Sequence, residues 1–235
     1  AYFASGSPTS ALQLTNPICA EAAHDSDSQL AAGQILLRYG RPQDAQTCFR
    51  HAAAADPSSS EKIMVVASRL LDEGEYQAAL EMLAPLANEM GGSATYHDLI
   101  GSVYSKLGQP IPAIDALQNA LRLDPDNEDY YLDLGQVLEQ YDAYDAAIDV
   151  FNGAIARRPK SARLHVGLAL ACLPAARMTE ARQAAERAIT LDPRLETGYT
   201  TLAMVDQGEK DWHGLLRDAK QLQILSPQNY LGWYY

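Results

Sequence analysis

ATYHDLIGSVYSKLGQPIPAIDALQNALRLDPDN, residues 94–127, decides the fold. Its first half sets Leu99, Ile100, Val103, Tyr104 and Leu107 at helical spacing, which predicts one broad apolar stripe. Gly108 then supplies a residue that accepts a positive φ, the usual way to close a helix without a Cβ clash. Pro110 and Pro112 fall where a second helix begins, the one turn in which a missing N–H does no harm. From Ala113 the apolar spacing resumes through Ile114, Leu117, Ala120, Leu121 and Leu123, and Pro125 ends it. Gly101, Ala113 and Ala120 are small where the two helices should touch, which brings the axes toward the short end of the roughly 8–10 Å packing range.

The chain repeats this helix–turn–helix unit. Steps of 34 residues keep the pattern in register from residue 26 to residue 229, without insertion or deletion. Gly101 is matched by Gly33, Ala67, Gly135, Ala169 and Ala203. Ala113 is matched by Ala45, Ala79, Ala147 and Ala181, and only Leu215 departs. Pro125 is matched by Pro57, Pro159, Pro193 and Pro227, with Gly91 the exception. The predicted organisation is an arm over 1–25, six units (26–59, 60–93, 94–127, 128–161, 162–195, 196–229) and, at 230–235, the start of a truncated seventh.

Ile100, Gly101 and Tyr104 form an L-G-x-x-Y-like set, Ala147 to Phe151 an A-x-x-x-F set, and Asp56-Pro57, Asp124-Pro125 and Asp192-Pro193 closing D-P pairs. In these residues the chain resembles the tetratricopeptide repeat family. The resemblance implies an all-α, right-handed superhelical solenoid of six antiparallel helix pairs. It also implies a concave wall, drawn mainly from the first helix of each unit, that holds an extended peptide or a partner's helix.

Local departures predict local irregularity. Pro85 inside the second helix of unit two should cost about 3 kcal/mol unless the helix breaks there. Gly91-Gly92 follows, so the stack is expected to be least regular between units two and three. Asp142 replaces glycine at the turn of unit four, and Pro174 should stop the first helix of unit five near Cys172 or Leu173. Leu215 and Leu222 replace small residues in unit six, where they either spread the pair or cover the end of the core. Before Pro17 the chain is dense in Ser, Thr, Pro and Gly, which predicts a flexible arm; residues 18–24 allow a short helical turn, and Ala11–Leu14 lying in a neighbour's groove is the sharper alternative. The closing YLGWYY puts Trp233 where Tyr131 and Tyr199 sit, and a stack ending on aromatics is read as a piece of a longer protein, with a self-association patch as the runner-up.

Composition narrows the partners. A net charge of −12 argues against a nucleic-acid backbone or an anionic membrane surface, and no apolar run approaches the roughly 20 residues of a spanning helix. The cysteines, Cys19, Cys48 and Cys172, are odd in number and scattered, which indicates no disulfide framework and favours a reducing, cytoplasmic setting. The chain begins at Ala1 with no signal-peptide pattern, so it is read as a trimmed form whose address has been removed.

The expected peptide-binding wall comprises Glu61, Asp98, Ser102, Asp129, Tyr130, Leu132, Asp133, Gln136, Glu139, Arg163, Val166 and Leu170. Of the inward-facing charges assigned to the middle units, Asp72, Asp126, Asp98, Asp129, Asp133, Glu61 and Glu139 are acidic against Lys106 and Lys160, while Arg163 and Arg194 follow in unit five. An acidic trough with apolar ends suits a basic or amphipathic protein segment. Equally, a −12 chain shows carboxylates on any solvated face. The lysine-and-asparagine grip on a chaperone's C-terminal carboxylate is excluded, since Leu30, Gln34, Met64, Ser68, Asp98, Ser102, Leu132 and Gln136 stand at its places.

No glycine-rich phosphate loop, C-x-x-C pair or H-E-x-x-H motif is present, so no cofactor is expected. Cys48 and His51, one turn apart, would need His24 and Cys19 to complete a zinc site, so no metal is expected either. His97 and His165 stand at the aromatic place of Tyr131 and Tyr199 and are read as packing residues. The expectation is a non-catalytic scaffold. The alternatives are the targeting array of a larger enzyme, such as a repeat-bearing glycosyltransferase, or self-assembly through the terminal repeats.

Overall fold

Asp25, Asp56, Ser93, Asn127 and Ser161 each stand just ahead of a helix, and each side chain accepts a hydrogen bond from a backbone N–H of the first turn. These caps satisfy donors that the helix cannot, and they mark where the first helix of a pair starts. The computed structural model describes Thr15, residues 17–19 and residues 25–228. The expectations for Ala11–Leu14, His24, the closing YLGWYY and Trp233 lie outside the described residues.

Thirteen α-helices and no strand occur among the described residues. They are α1 (Ser26–Arg38), α2 (Pro42–Ala55), α3 (Pro57–Asp72), α4 (Tyr76–Leu83), α5 (Ala87–Met90), α6 (Ala94–Lys106) and α7 (Pro110–Leu123) in one compact unit, Ala1–Leu123. The second unit, Asp124–Tyr235, holds α8 (Glu128–Gln140), α9 (Tyr144–Arg157), α10 (Ala162–Cys172), α11 (Met178–Leu191), α12 (Glu196–Glu209) and α13 (Trp212–Leu225). Sequence neighbours pack as pairs: α1 on α2, α3 on α4, α6 on α7, α8 on α9, α10 on α11 and α12 on α13.

The turn within each pair is the same conformation six times. Gly40, Gly74, Gly108, Asp142, Ala176 and Lys210 all have positive φ, between 58° and 85°, and each follows the last by 34 residues. Geometry is therefore kept where glycine is not, at a cost of roughly 1–2 kcal/mol for each residue carrying a Cβ.

One boundary differs from the sequence reading. The helix expected near residue 60 begins at Pro57, because Asp56 caps it and proline is well placed in a first turn. Pro57 thus opens one helix as well as closing the one before. Pro85 breaks its helix as expected: α4 stops at Leu83 and a 3-10 turn, Ala84–Leu86, follows.

In the first unit, Leu36, Phe49, Ile63, Met82, Leu83 and Leu86 are fully buried in one continuous core. That core also contains a covalent link. Cys19 and Cys48 form a disulfide with their Cα atoms 4.6 Å apart, contrary to the reading that no disulfide is indicated. Parity misled there: the third cysteine, Cys172, is simply buried elsewhere. Cys48 is accordingly a fully buried half-cystine, and it cannot serve as a zinc thiolate.

In the second unit the tip of the buried Phe151 ring is wedged between two glycines. A Cβ on Gly135 of α8 or on Gly167 of α10 would run into it. Leu215 and Leu222 are both buried.

Candidate functional site: the wall of first helices

Within each unit the first helices of successive pairs are neighbours, α1–α3–α6 in one and α8–α10–α12 in the other. Their starts are held by a contact that repeats with the chain. The Tyr131 hydroxyl donates to the Pro125 carbonyl at 3.0 Å, and the Tyr199 hydroxyl to that of Pro193 at 3.2 Å. His97 and His165 use ring Nε2 on the equivalent carbonyls, of Gly91 at 2.9 Å and Pro159 at 3.3 Å. Burial holds His165 below the usual imidazole range, so the neutral ring, with its N–H on Nε2, makes this contact. Both histidines therefore act as structural stand-ins for tyrosine.

The twelve expected wall residues divide by exposure. In the first unit Glu61 is exposed on α3, while Asp98 and Ser102 are half-buried on α6. In the second unit Asp129 and Gln136 are exposed on α8, and Leu132, Asp133 and Glu139 are half-buried. On α10 Arg163 is exposed and Leu170 half-buried. Tyr130 and Val166, at 4% and 7% exposure, belong to the core instead. Tyr130 is the third residue of its helix and points inward, as does Tyr96 one period earlier, whose hydroxyl donates to the Leu83 carbonyl.

Charge is less one-sided than the sequence suggests. Arg163 lies 2.8 Å from Asp129 and 3.2 Å from Glu128, Arg158 lies 3.8 Å from Glu128, and Arg157 lies 3.9 Å from Asp126. The arginines of these pairs are exposed, so each pair contributes about 1 kcal/mol at most, but together they neutralise the start of α8. Asp126, Glu128, Asp129, Arg158 and Arg163 line an open recess of about 500 Å³ with Asp124 and Asn127. The opposite end of α8 differs. Burial alone raises the Glu139 carboxyl to about 7, so its charge depends on what comes near it.

Met204 on α12 is 40% exposed and was missed because a lone methionine carries no charge or aromatic signal. It stands one period after Leu170, which stands one period after Gln136. Leu132, Leu170 and Met204 leave part-exposed apolar side chains on three neighbouring helices, two of which also carry Asp133, Glu139 and Arg163. Among the described residues no group of three His, Cys, Asp or Glu side chains is arranged to hold a metal ion, and no helix is long and apolar enough to cross a membrane.

The tetratricopeptide repeat model matches residues 99–162 and 143–196. The human protein O-mannosyl-transferase TMTC1 is 25% identical over 194 residues, covering 81% of this chain and 22% of that protein. The chain thus spans about a fifth of that relative, and 34% and 35% of two further curated relatives. Among solved structures, MamA from Desulfovibrio magneticus RS-1 (residues 41 to the end) aligns with a TM-score of 0.60 at 20% identity, covering 72% of this chain and 96% of that one. YrrB, described as a repeat protein with an unusual peptide-binding site, aligns with a TM-score of 0.56 at 17% identity, covering 79% and 96%. At these identities the structural likeness concerns the fold.

Proposed function

Because this chain belongs to the tetratricopeptide repeat family, whose fold is that of a protein-interaction scaffold, we propose that it is non-catalytic and takes up a peptide or helical segment of a partner on its first helices. The observation that carries this reading is that Leu132, Leu170 and Met204 stand part-exposed on three adjacent helices, two of which also carry Asp133, Glu139 and Arg163. Apolar side chains left part-exposed beside charge suit an amphipathic ligand, whose oily face is desolvated while its basic residues meet Asp133 and Glu139. The two recesses beside Glu128 and Arg158 are open to solvent and lack the water-poor enclosure that general acid–base chemistry asks for.

A random peptide library displayed on phage tests the proposal. Selected peptides should bind the wild type and lose about tenfold or more in affinity for Asp133→Lys/Leu170→Glu. Peptides that bind both proteins equally would overturn the assignment of the wall. The second reading is a recruiting array within a longer enzyme, which the human mannosyl-transferase relative favours. Sequencing the gene past the codon for Tyr235 separates the two, since a catalytic domain there would support the second.

A further inference from the structure

We propose that the Cys19–Cys48 bond is a permanent staple formed in an oxidising compartment, and that the chain does its work there rather than in the reducing cytosol. The bond does not stand alone. Cys19 and Cys48 are 5% and 0% exposed, inside a core that also takes up Leu36, Phe49 and part of Ile18. Beside them the fully buried Gln29 of α1 donates from Nε2 to the Ile18 carbonyl at 2.6 Å. Residues 17–19 are thus fixed by two different elements, through a side-chain amide on α1 and a sulfur on α2. Repeat stacks need their first pair covered, because each pair hides its apolar side only against a neighbour. Here the cover is covalent.

Burial decides against a regulatory thiol. A redox sensor needs an exposed, low-pKa cysteine, and both half-cystines are buried. Cys172, also buried, has its thiol pushed up to about 11, mainly by burial, so it offers no thiolate to compete in exchange. Forming the bond removes two protons and two electrons from the two thiols. A disulfide of a thiol–disulfide oxidoreductase accepts them through a mixed disulfide and leaves as the dithiol. Such catalysts maintain disulfides in secretory and periplasmic spaces, whereas cytosolic thiols are held reduced.

Thiol counting tests this in the native cells. Thiols are blocked by an alkylating agent at harvest, and the intact chain is then unfolded and alkylated again. One modified cysteine, Cys172, with a Cys19–Cys48 linked peptide pair in the unreduced digest, is the expected result. Three modified cysteines would overturn the proposal. Reducing the purified chain should lower Tm by roughly 10 °C, from the loop-closure entropy of a bond whose ends are 29 residues apart. The same drop should persist in Cys172→Ser, and an unchanged Tm on reduction would overturn the stapling role even if Cys48→Ala failed to fold.

Discussion

Gly167→Ala is expected to destabilise the chain although alanine is the better helix former. A Cβ at Gly167 would sit 2.5 Å from Cε1 and 2.7 Å from Cζ of Phe151, against a preferred carbon–carbon separation of roughly 3.5–4.0 Å. The ring has little room to retreat, since Gly135 crowds the same tip from α8. Overpacking of this kind costs roughly 1–3 kcal/mol, and the helix-propensity gain returns roughly 0.5–1 kcal/mol. The net expectation is a loss of about 1–2 kcal/mol, measured as a fall in urea midpoint by circular dichroism. Gly153 in α9 is the internal control, because nothing lies within 4 Å of its added Cβ. Gly153→Ala should therefore gain about 0.5–1 kcal/mol. In a Phe151→Leu background the ring is gone and Gly167→Ala should lose most of its penalty, a coupling that a double-mutant cycle reads directly. If Gly167→Ala and Gly153→Ala stabilise alike, the close approach of α8, α9 and α10 argued here is wrong.

Three further outcomes are expected. Lys210→Gly relieves a positive φ of 63° and should raise the urea midpoint, by roughly 1 kcal/mol in stability. Asp218 is raised above the usual carboxylate range, chiefly by burial, which outweighs the opposing Arg217; Asp206 adds to the rise, and Arg182 and Glu209 complete the cluster. Its stabilising contribution is whole below the unfolded value near 3.8 and is lost as pH climbs through the folded value, so Asp218→Asn should flatten that part of the stability curve in urea titrations across pH 4–7. Glu139 at about 7 is largely neutral at pH 6 and anionic at pH 8, so a selected lysine-bearing peptide should bind several-fold tighter at pH 8, a trend that calorimetry should find absent in Glu139→Gln.

Much of the fold was legible because one period governs turn, cap and contact at once. Gly108 and Pro110 announce a turn whose dihedrals recur even at Ala176, where no glycine signals it. The site was less legible. Spacing on one helix assigns a face, but it does not say how deep the next helix sits, and so Tyr130 and Val166 were placed on the wall although they are buried. The disulfide escaped because its partners lie 29 residues apart in sequence and meet only when the chain folds back. A stricter comparison of repeats would have caught Asp206 and Asp218. They occupy places held by Leu36, Leu138 and Cys172, and by Cys48, Met82 and Ala184, which are apolar and buried, and both aspartates are buried too. Arg182 reaches Asp206 at 2.5 Å and Arg217 reaches Asp218 at 3.1 Å, which is how two carboxylates are tolerated in that core.

Hydrogen–deuterium exchange with and without a library-selected peptide tests the docking wall most directly. Slowed exchange in α8, α10 and α12, with α9, α11 and α13 unchanged, is the predicted result. Protection confined to the second helices of the pairs would contradict it.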